Sequence, residues 1–309
     1  MGALIALVTV AACGQNLVEE TPGEDRPFQV VATTTLVADL IANIGGSRVN
    51  VEYLMGPGID PHYHVASAGD LSRLENADII VFHGLNLEER MAEIFDNMAE
   101  LGRNVISTED AIDPALRLYE EDEDDDDDED EYDPHIWFDV ALWKSVASHF
   151  ADALAEIAPD DAAYFQANYE AHRAELAELH DYIINRVEEV PAQSRVLITA
   201  HDAFQYFGQA YGFEVVGIQG ISTTAEAGTA DIAALADFIV ERGIQAIFVE
   251  TSVSPRNIEA LQEAVAARGY VVAIGGYLYS DALGDAASGH DTYISMMRAN
   301  IGTIVDALR

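Results

Sequence analysis

Cysteine, lysine and long apolar runs are what this 309-residue chain has least of. A single cysteine, Cys13, excludes an intramolecular disulfide and any thiolate-rich metal centre. Lys144 is the sole lysine, and the 15 basic residues face 55 acidic ones, giving a formal charge of -40. Such a field repels nucleic acid and anionic lipid surfaces and draws in cations, so a phosphate-backbone partner is excluded. No segment is apolar for the ~20 residues that a membrane-spanning helix needs. What the chain does have is 50% hydrophobic residues, enough for two domains with real cores.

The apolar stretch from Ala3 to Ala12, followed by Ala11-Ala12-Cys13-Gly14, reads as a signal segment. A cysteine at the cleavage point resembles a bacterial lipoprotein signal in which the thiol of Cys13 is lipidated. That arrangement places the mature protein outside the cytoplasmic membrane, on the periplasmic side or the cell surface, held by a lipid anchor only. The first basic residue is Arg26, so the usual positive flank is missing and the expected start lies upstream of Met1. Residues 1–27 are then signal and polar tether.

From Phe28 onward strands and helices alternate. Strand patterns at Phe28–Ala32, Val49–Met55, Asp78–Phe82 and Val105–Ser107 are interleaved with helices at Leu36–Ile44 and Leu87–Leu101. After a helix at Val140–Ile157, one long helical pattern runs from Asp160 to Val190, between Pro159 and Pro191. The alternation then resumes, with strands at Val196–Thr199, Glu214–Ile218, Ala246–Glu250 and Tyr270–Ile274. The expected fold is α/β: two lobes, each a mainly parallel sheet flanked by helices, joined by one long rigid helix. The lobes span 28–158 and 192–309, and the linking helix spans 159–191. Twelve consecutive carboxylates, Glu120 to Glu131, form an acidic loop inside the first lobe, expected to be disordered by like-charge repulsion.

Among nine histidines, three occupy breaks beyond a strand or before a helix. Asp60-Pro61-His62 and Asp133-Pro134-His135 are the same tripeptide, and proline restricts its neighbours, so such a turn can hold an imidazole in one direction. His201 follows the strand Val196–Thr199 at its carboxyl end, where α/β folds collect ligands. A divalent metal on three neutral imidazoles favours a fourth, anionic ligand. Glu250 and Asp281 both lie in suitable breaks, and spacing does not choose between them. His149, His172 and His180 fall on helices among Ala and Glu, as surface or satisfied core residues, and His83 and His290 carry no signal of their own.

The segments GPGIDPHYHVASAGDLSRLENADII, DPHIWFDVALW, TAHDAFQYFGQAYGFEVVGIQGIS, IFVETSVSPRNIEALQEA and IGGYLYSDALG resemble the metal-binding solute receptors of bacterial ABC importers for zinc and manganese. The resemblance runs in family order across Phe28 to Leu308. It implies two lobes with the metal in the cleft between them, held by His62 and His135 of the first lobe and His201 and Asp281 of the second. Glu250 falls beside that site as a supporting residue, and His64 is an auxiliary candidate. The implied cargo is Zn2+ or Mn2+, the implied partner is the permease of the importer, and the protein is expected to be a monomer and not an enzyme. The family often carries histidines in its acidic loop, whereas residues 120–131 here have none, and bare carboxylates show little preference for zinc. Two rival readings remain. A zinc hydrolase would need an open water position beside a base such as Glu250. A calcium-binding surface protein would depend on the acidic run.

Overall fold

Strand β1 (Phe28–Ala32) is a nearly continuous buried apolar run, the mark of a strand covered on both faces. It is the second strand of a four-stranded parallel sheet in the first lobe. The computed structural model describes residues 26–120, 131–225 and 227–309. The signal segment with Cys13 and most of the acidic run, residues 121–130, lie outside the described residues.

Helix α1 (Thr35–Gly45) follows β1, capped by the Thr34 side chain and ended by Gly46 at φ 53°. Then come β2 (Val49–Tyr53), α2 (Ala68–Asn76), β3 (Ile79–Phe82), α3 (Ala92–Glu100) and β4 (Asn104–Ser107). The strand order is β2-β1-β3-β4, all parallel. Strands β5 (Tyr119–Glu120) and β6 (Glu131–Tyr132) pair antiparallel. The expectation of an unstructured 120–131 is therefore corrected at its two ends alone, where Glu120 and Glu131 pair through the main chain.

Helix α4 (Val140–Ile157), capped by Asp139, leads through a short turn to α5 (Ala162–Val187). At 26 residues and ~1.5 Å per residue, α5 is about 39 Å long. The second lobe contains β7 (Val196–His201), α6 (Gln205–Tyr211), β8 (Glu214–Gln219), α7 (Thr229–Arg242), β9 (Ala246–Glu250), α8 (Arg256–Ala267), β10 (Ala273–Leu278) and α9 (Tyr293–Leu308). Its strands form two parallel pairs, β7 with β8 and β9 with β10, and β7 lies beside β9. The spatial order, second-first-third-fourth, repeats that of the first lobe.

Several boundaries differ from the sequence pattern by a few residues, and three departures have a clear cause. The helix expected over Leu87–Leu101 begins only at Ala92, after a turn in which Leu85 and Asn86 take positive φ. Helix α2 has one buried residue, Leu74, too little apolar signal to stand out. The last strand lies at Ala273–Leu278 rather than Tyr270–Ile274, since Gly275-Gly276 does not end it but forms an irregularity within it. Gly276 has φ 146°, and a Cβ there would strike Thr303, so only glycine lets the strand lie against α9.

The largest core cluster does not stop at the lobe boundary. It joins Val30, Ile79 and Trp143 of the first lobe to Leu176 and Leu179 of α5 and to Phe248, Leu278 and Tyr293 of the second. Each lobe adds a smaller core on its outer sheet face. A shared core makes wide separation of the lobes costly, because it would expose apolar surface at about 25 cal/mol per Å2. Leu179→Ala, at a fully buried position of α5, is expected to lower unfolding free energy by about 2–5 kcal/mol, read from urea denaturation of the metal-free protein.

Candidate metal centre

His62, His135, His201 and Asp281 each offer one ligand atom, and these atoms lie within 4.8 Å of one another. All four residues are buried. His62 follows β2 in the loop before α2, and His135 precedes the short turn that leads to α4. His201 is the last residue of β7, and Asp281 lies just beyond β10. All but His135 are thus delivered at or beyond the carboxyl end of a parallel strand.

The repeated tripeptide produces the same local turn twice. Asp60 Oδ1 accepts the backbone N–H of His62 at 2.9 Å, and Asp133 Oδ1 accepts that of His135 at 2.9 Å. Beyond that the two diverge. Asp133 Oδ1 also contacts His135 Nδ1 at 2.7 Å, which fixes the tautomer and turns Nε2 toward the cleft. Asp60 instead uses its other oxygen on Thr223, as described below.

On the opposite lobe Glu250 plays the part of Asp133. Its Oε1 accepts the backbone N–H of His201 at 2.9 Å, and its Oε2 lies 2.6 Å from His201 Nδ1 in an oblique ionic contact. The two Nε2 atoms, of His135 and His201, approach to 3.3 Å, and Asp281 Oδ1 is 3.5 Å from each. Asp281 Oδ2 is taken by the hydroxyls of Ser252 at 2.8 Å and Ser280 at 3.2 Å, so Oδ1 is the oxygen left facing the imidazoles. Nε2 of His62 and Oδ1 of Asp281 are buried without a hydrogen-bond partner. Two orphaned donor atoms aimed at the same point as two further imidazoles suit a bound cation. Three nitrogens and one oxygen form a set fit for zinc.

The electrostatics are uneven across the set. Burial drives the His62 imidazole down to about 3, helped by the charges of its two neighbouring histidines and opposed by Asp281. At neutral pH it is an unprotonated lone pair ready for a metal. Burial also presses down on His135 and His201, but the carboxylates overcome it. Asp133 and Asp281 raise His135, and Glu250 and Asp281 raise His201 well above the usual histidine range. Asp281 is held well below the usual carboxylate range, because the two imidazoles outweigh its burial.

His64 is not brought into this group; its Nε2 stands 3.7 Å from Asp70 on the first lobe. Asp133, Ser252 and Ser280 were not singled out by sequence reasoning. The signal for Asp133 was present in the Asp-Pro-His repeat, since an aspartate two residues before a histidine can bond both its main chain and its ring. His83 carries no sequence signal of its own, but it is buried against Trp137 at 4.8 Å between ring centres, and burial lowers it to about 3.

Two expectations follow from this geometry. A metal displaces any proton held on a ligand imidazole, so proton release on binding should grow and affinity should fall as pH drops, over a range that their carboxylates move upward for His135 and His201. Calorimetry in two buffers of different ionisation enthalpy measures the release. Asp133→Asn, which removes the charge behind His135, should weaken metal binding about 10–100-fold in a chelator competition while the fold persists.

Residues 30–307 match the family described as zinc-uptake complex component A, periplasmic. The chain is 45% identical over 290 residues to the zinc-binding protein TroA of Treponema pallidum, covering 94% of this chain and 91% of that protein. It is 39% identical over 306 residues to the manganese-binding lipoprotein MntA of Bacillus subtilis, covering 99% and 97% of the two. The solved structure of periplasmic zinc-binding TroA from Treponema pallidum superposes with a TM-score of 0.86 at 44% identity, over 91% of this chain and 99% of that one. Both lobes and the linking helix fall within these matches, and the chain belongs to the periplasmic zinc-uptake component A family of metal-binding ABC-importer receptors.

Proposed function

We propose that this protein captures a divalent transition metal, zinc or manganese, outside the cytoplasmic membrane and hands it to the permease of an ABC importer. The observation that carries the reading is the convergence of His62, His135, His201 and Asp281 from two lobes on one buried point. Relatives named as zinc-binding and manganese-binding proteins support it. In this reading lobe 28–158 supplies His62 and His135, lobe 192–309 supplies His201 and Asp281, and helix 159–191 joins them. Release requires the two pairs to part, and the core shared across the lobes restricts that parting to a modest tilt. Among the described residues no helix is long and apolar enough to cross a membrane; the attachment in this reading is a lipid on Cys13, from the sequence Ala11-Ala12-Cys13-Gly14. The protein acts as a monomer.

The site does not favour hydrolysis. A hydrolytic zinc keeps a position open for water beside a free base. Here protein donors fill all four positions, and Glu250 is committed to His201 through both of its oxygens.

The donor set ranks the metals. With three imidazoles and one carboxylate, zinc should bind more tightly than manganese, as intrinsic affinities order them, whichever is supplied in the cell. Calorimetric titration of chelator-stripped protein is expected to give one tight site per chain for zinc and a weaker one for manganese. His135→Ala should abolish tight binding. Replacing residues 121–130 by a two-residue turn between β5 and β6 should leave it intact. Tight binding retained in His135→Ala, or lost on removal of the acidic run, would overturn the assignment.

A further inference from the structure

Besides the contacts among the metal donors and the bonds from Leu283 N–H to Thr35 Oγ1 and from Tyr293 N–H to Asp39 Oδ2, two groups of hydrogen bonds cross between the lobes. One group sits in the shared core. Trp137 Nε1 donates to Ser280 O at 3.0 Å, Tyr293 Oη to Trp137 O at 2.7 Å, and the Leu118 N–H to Tyr206 Oη at 2.9 Å. Trp137, Tyr206 and Tyr293 are fully packed there, so these bonds persist as long as the core does. The other group lies at the rim of the metal cleft, outside every core cluster. Thr223 Oγ1 donates to Asp60 Oδ2 at 2.7 Å, and Tyr63 Oη donates to Thr224 O at 3.2 Å.

The rim bonds are tied directly to one ligand. The same Asp60 carboxylate that receives Thr223 receives the backbone N–H of His62 on its other oxygen. Thr223 is 2% exposed although it sits in the irregular segment between β8 and α7, and its hydroxyl has been drawn inward to a carboxylate on the other lobe. Beside it runs a groove of about 430 Å3 lined by Asp60, Tyr63, Thr223, Ser252 and Arg256. The contact therefore lines an open groove while staying tied through Asp60 to the backbone of His62.

We propose that Asp60 and Thr223 form a latch across the cleft, with Asp60 as a positioning residue that couples the His62 loop to the 222–224 segment and so sets how fast metal leaves. The latch rests on the reading of His62 as a metal ligand. Its bonds exist only when the lobes are together, so they slow opening and contribute little to capture. A hydrogen bond to a carboxylate at the rim is the kind that breaks without exposing core. The core bonds cannot serve this role, since losing them would unpack Trp137 and Tyr293.

The experiment loads full-length protein with zinc, mixes it with excess chromogenic chelator, and follows release by stopped flow. Thr223→Val keeps shape and removes the hydroxyl. Release is expected to be about tenfold faster, equivalent to about 1.4 kcal/mol. The association rate and the melting temperature of the metal-free protein should be unchanged, and Thr223→Ser should restore slow release. Tyr63→Phe, on an exposed side chain, should speed release two- to threefold, and it decides the matter if Thr223→Val disturbs melting. Wild-type release rates in these variants, or a change confined to association, would overturn the latch while one-to-one zinc uptake by the wild type leaves the receptor reading standing. No zinc uptake by the wild type would overturn that reading and the latch together.

Discussion

The organising constraint is the cost of placing imidazoles and carboxylates together in a site closed to water. A buried charge must be paired, or it destabilises the fold by several kcal/mol. This protein meets the requirement within each lobe first. Asp133 pairs with His135, and Glu250 pairs with His201. Asp281 is the additional carboxylate, facing both imidazoles. The carboxylates hold both imidazoles above the usual histidine range against the pull of burial. A cation at the point these groups face would be balanced by the same carboxylates, so the pairing serves the site with or without it.

The remainder of the architecture serves to bring two such half-sites together and keep them together. The ends of parallel strands and the loops beyond them deliver His62, His201 and Asp281, and with His135 these residues converge on one point between the lobes. A core that runs through α4, α5 and α9 into both sheets holds the lobes at a fixed separation. The strength of the arrangement lies in that division of labour: the core fixes where the lobes are, and rim contacts outside it are free to respond to the cargo.

Much of this was legible in the chain. Continuous apolar runs such as Phe28–Ala32 and Ala246–Glu250 have one comfortable environment, a covered parallel strand, and they were read as such. The Asp-Pro-His repeat identified two of the histidines because aspartate and proline impose their turn locally, whatever the rest of the chain does. The misreadings arose where local preference yielded to packing. Gly275-Gly276 has the composition of a break, yet pairing with β9 carries the strand through it. Helix α2 depends on the Ser67–Asp70 capping box and on Leu74, a weak apolar pattern over nine residues. The acidic run is repulsive by composition, but its first and last residues pair, because a ladder bond involves the main chain and is indifferent to side-chain charge.

The sequence by itself determined the fold class and the long connecting helix and singled out three candidate donor histidines, since hydrophobic period, proline placement and strand-end position are local properties. Between Glu250 and Asp281 local properties were silent, for both are acids just past a strand. The family resemblance favours Asp281, and the tertiary structure supplies the geometric reason. It placed Glu250 behind the His201 ring, where it contacts Nδ1, and Asp281 in front, where its Oδ1 faces Nε2 of two histidines from different lobes. The physical reason is that a ligand set spanning residues 62 to 281 is defined by distances across a cleft, and these come from the packing of one lobe against the other.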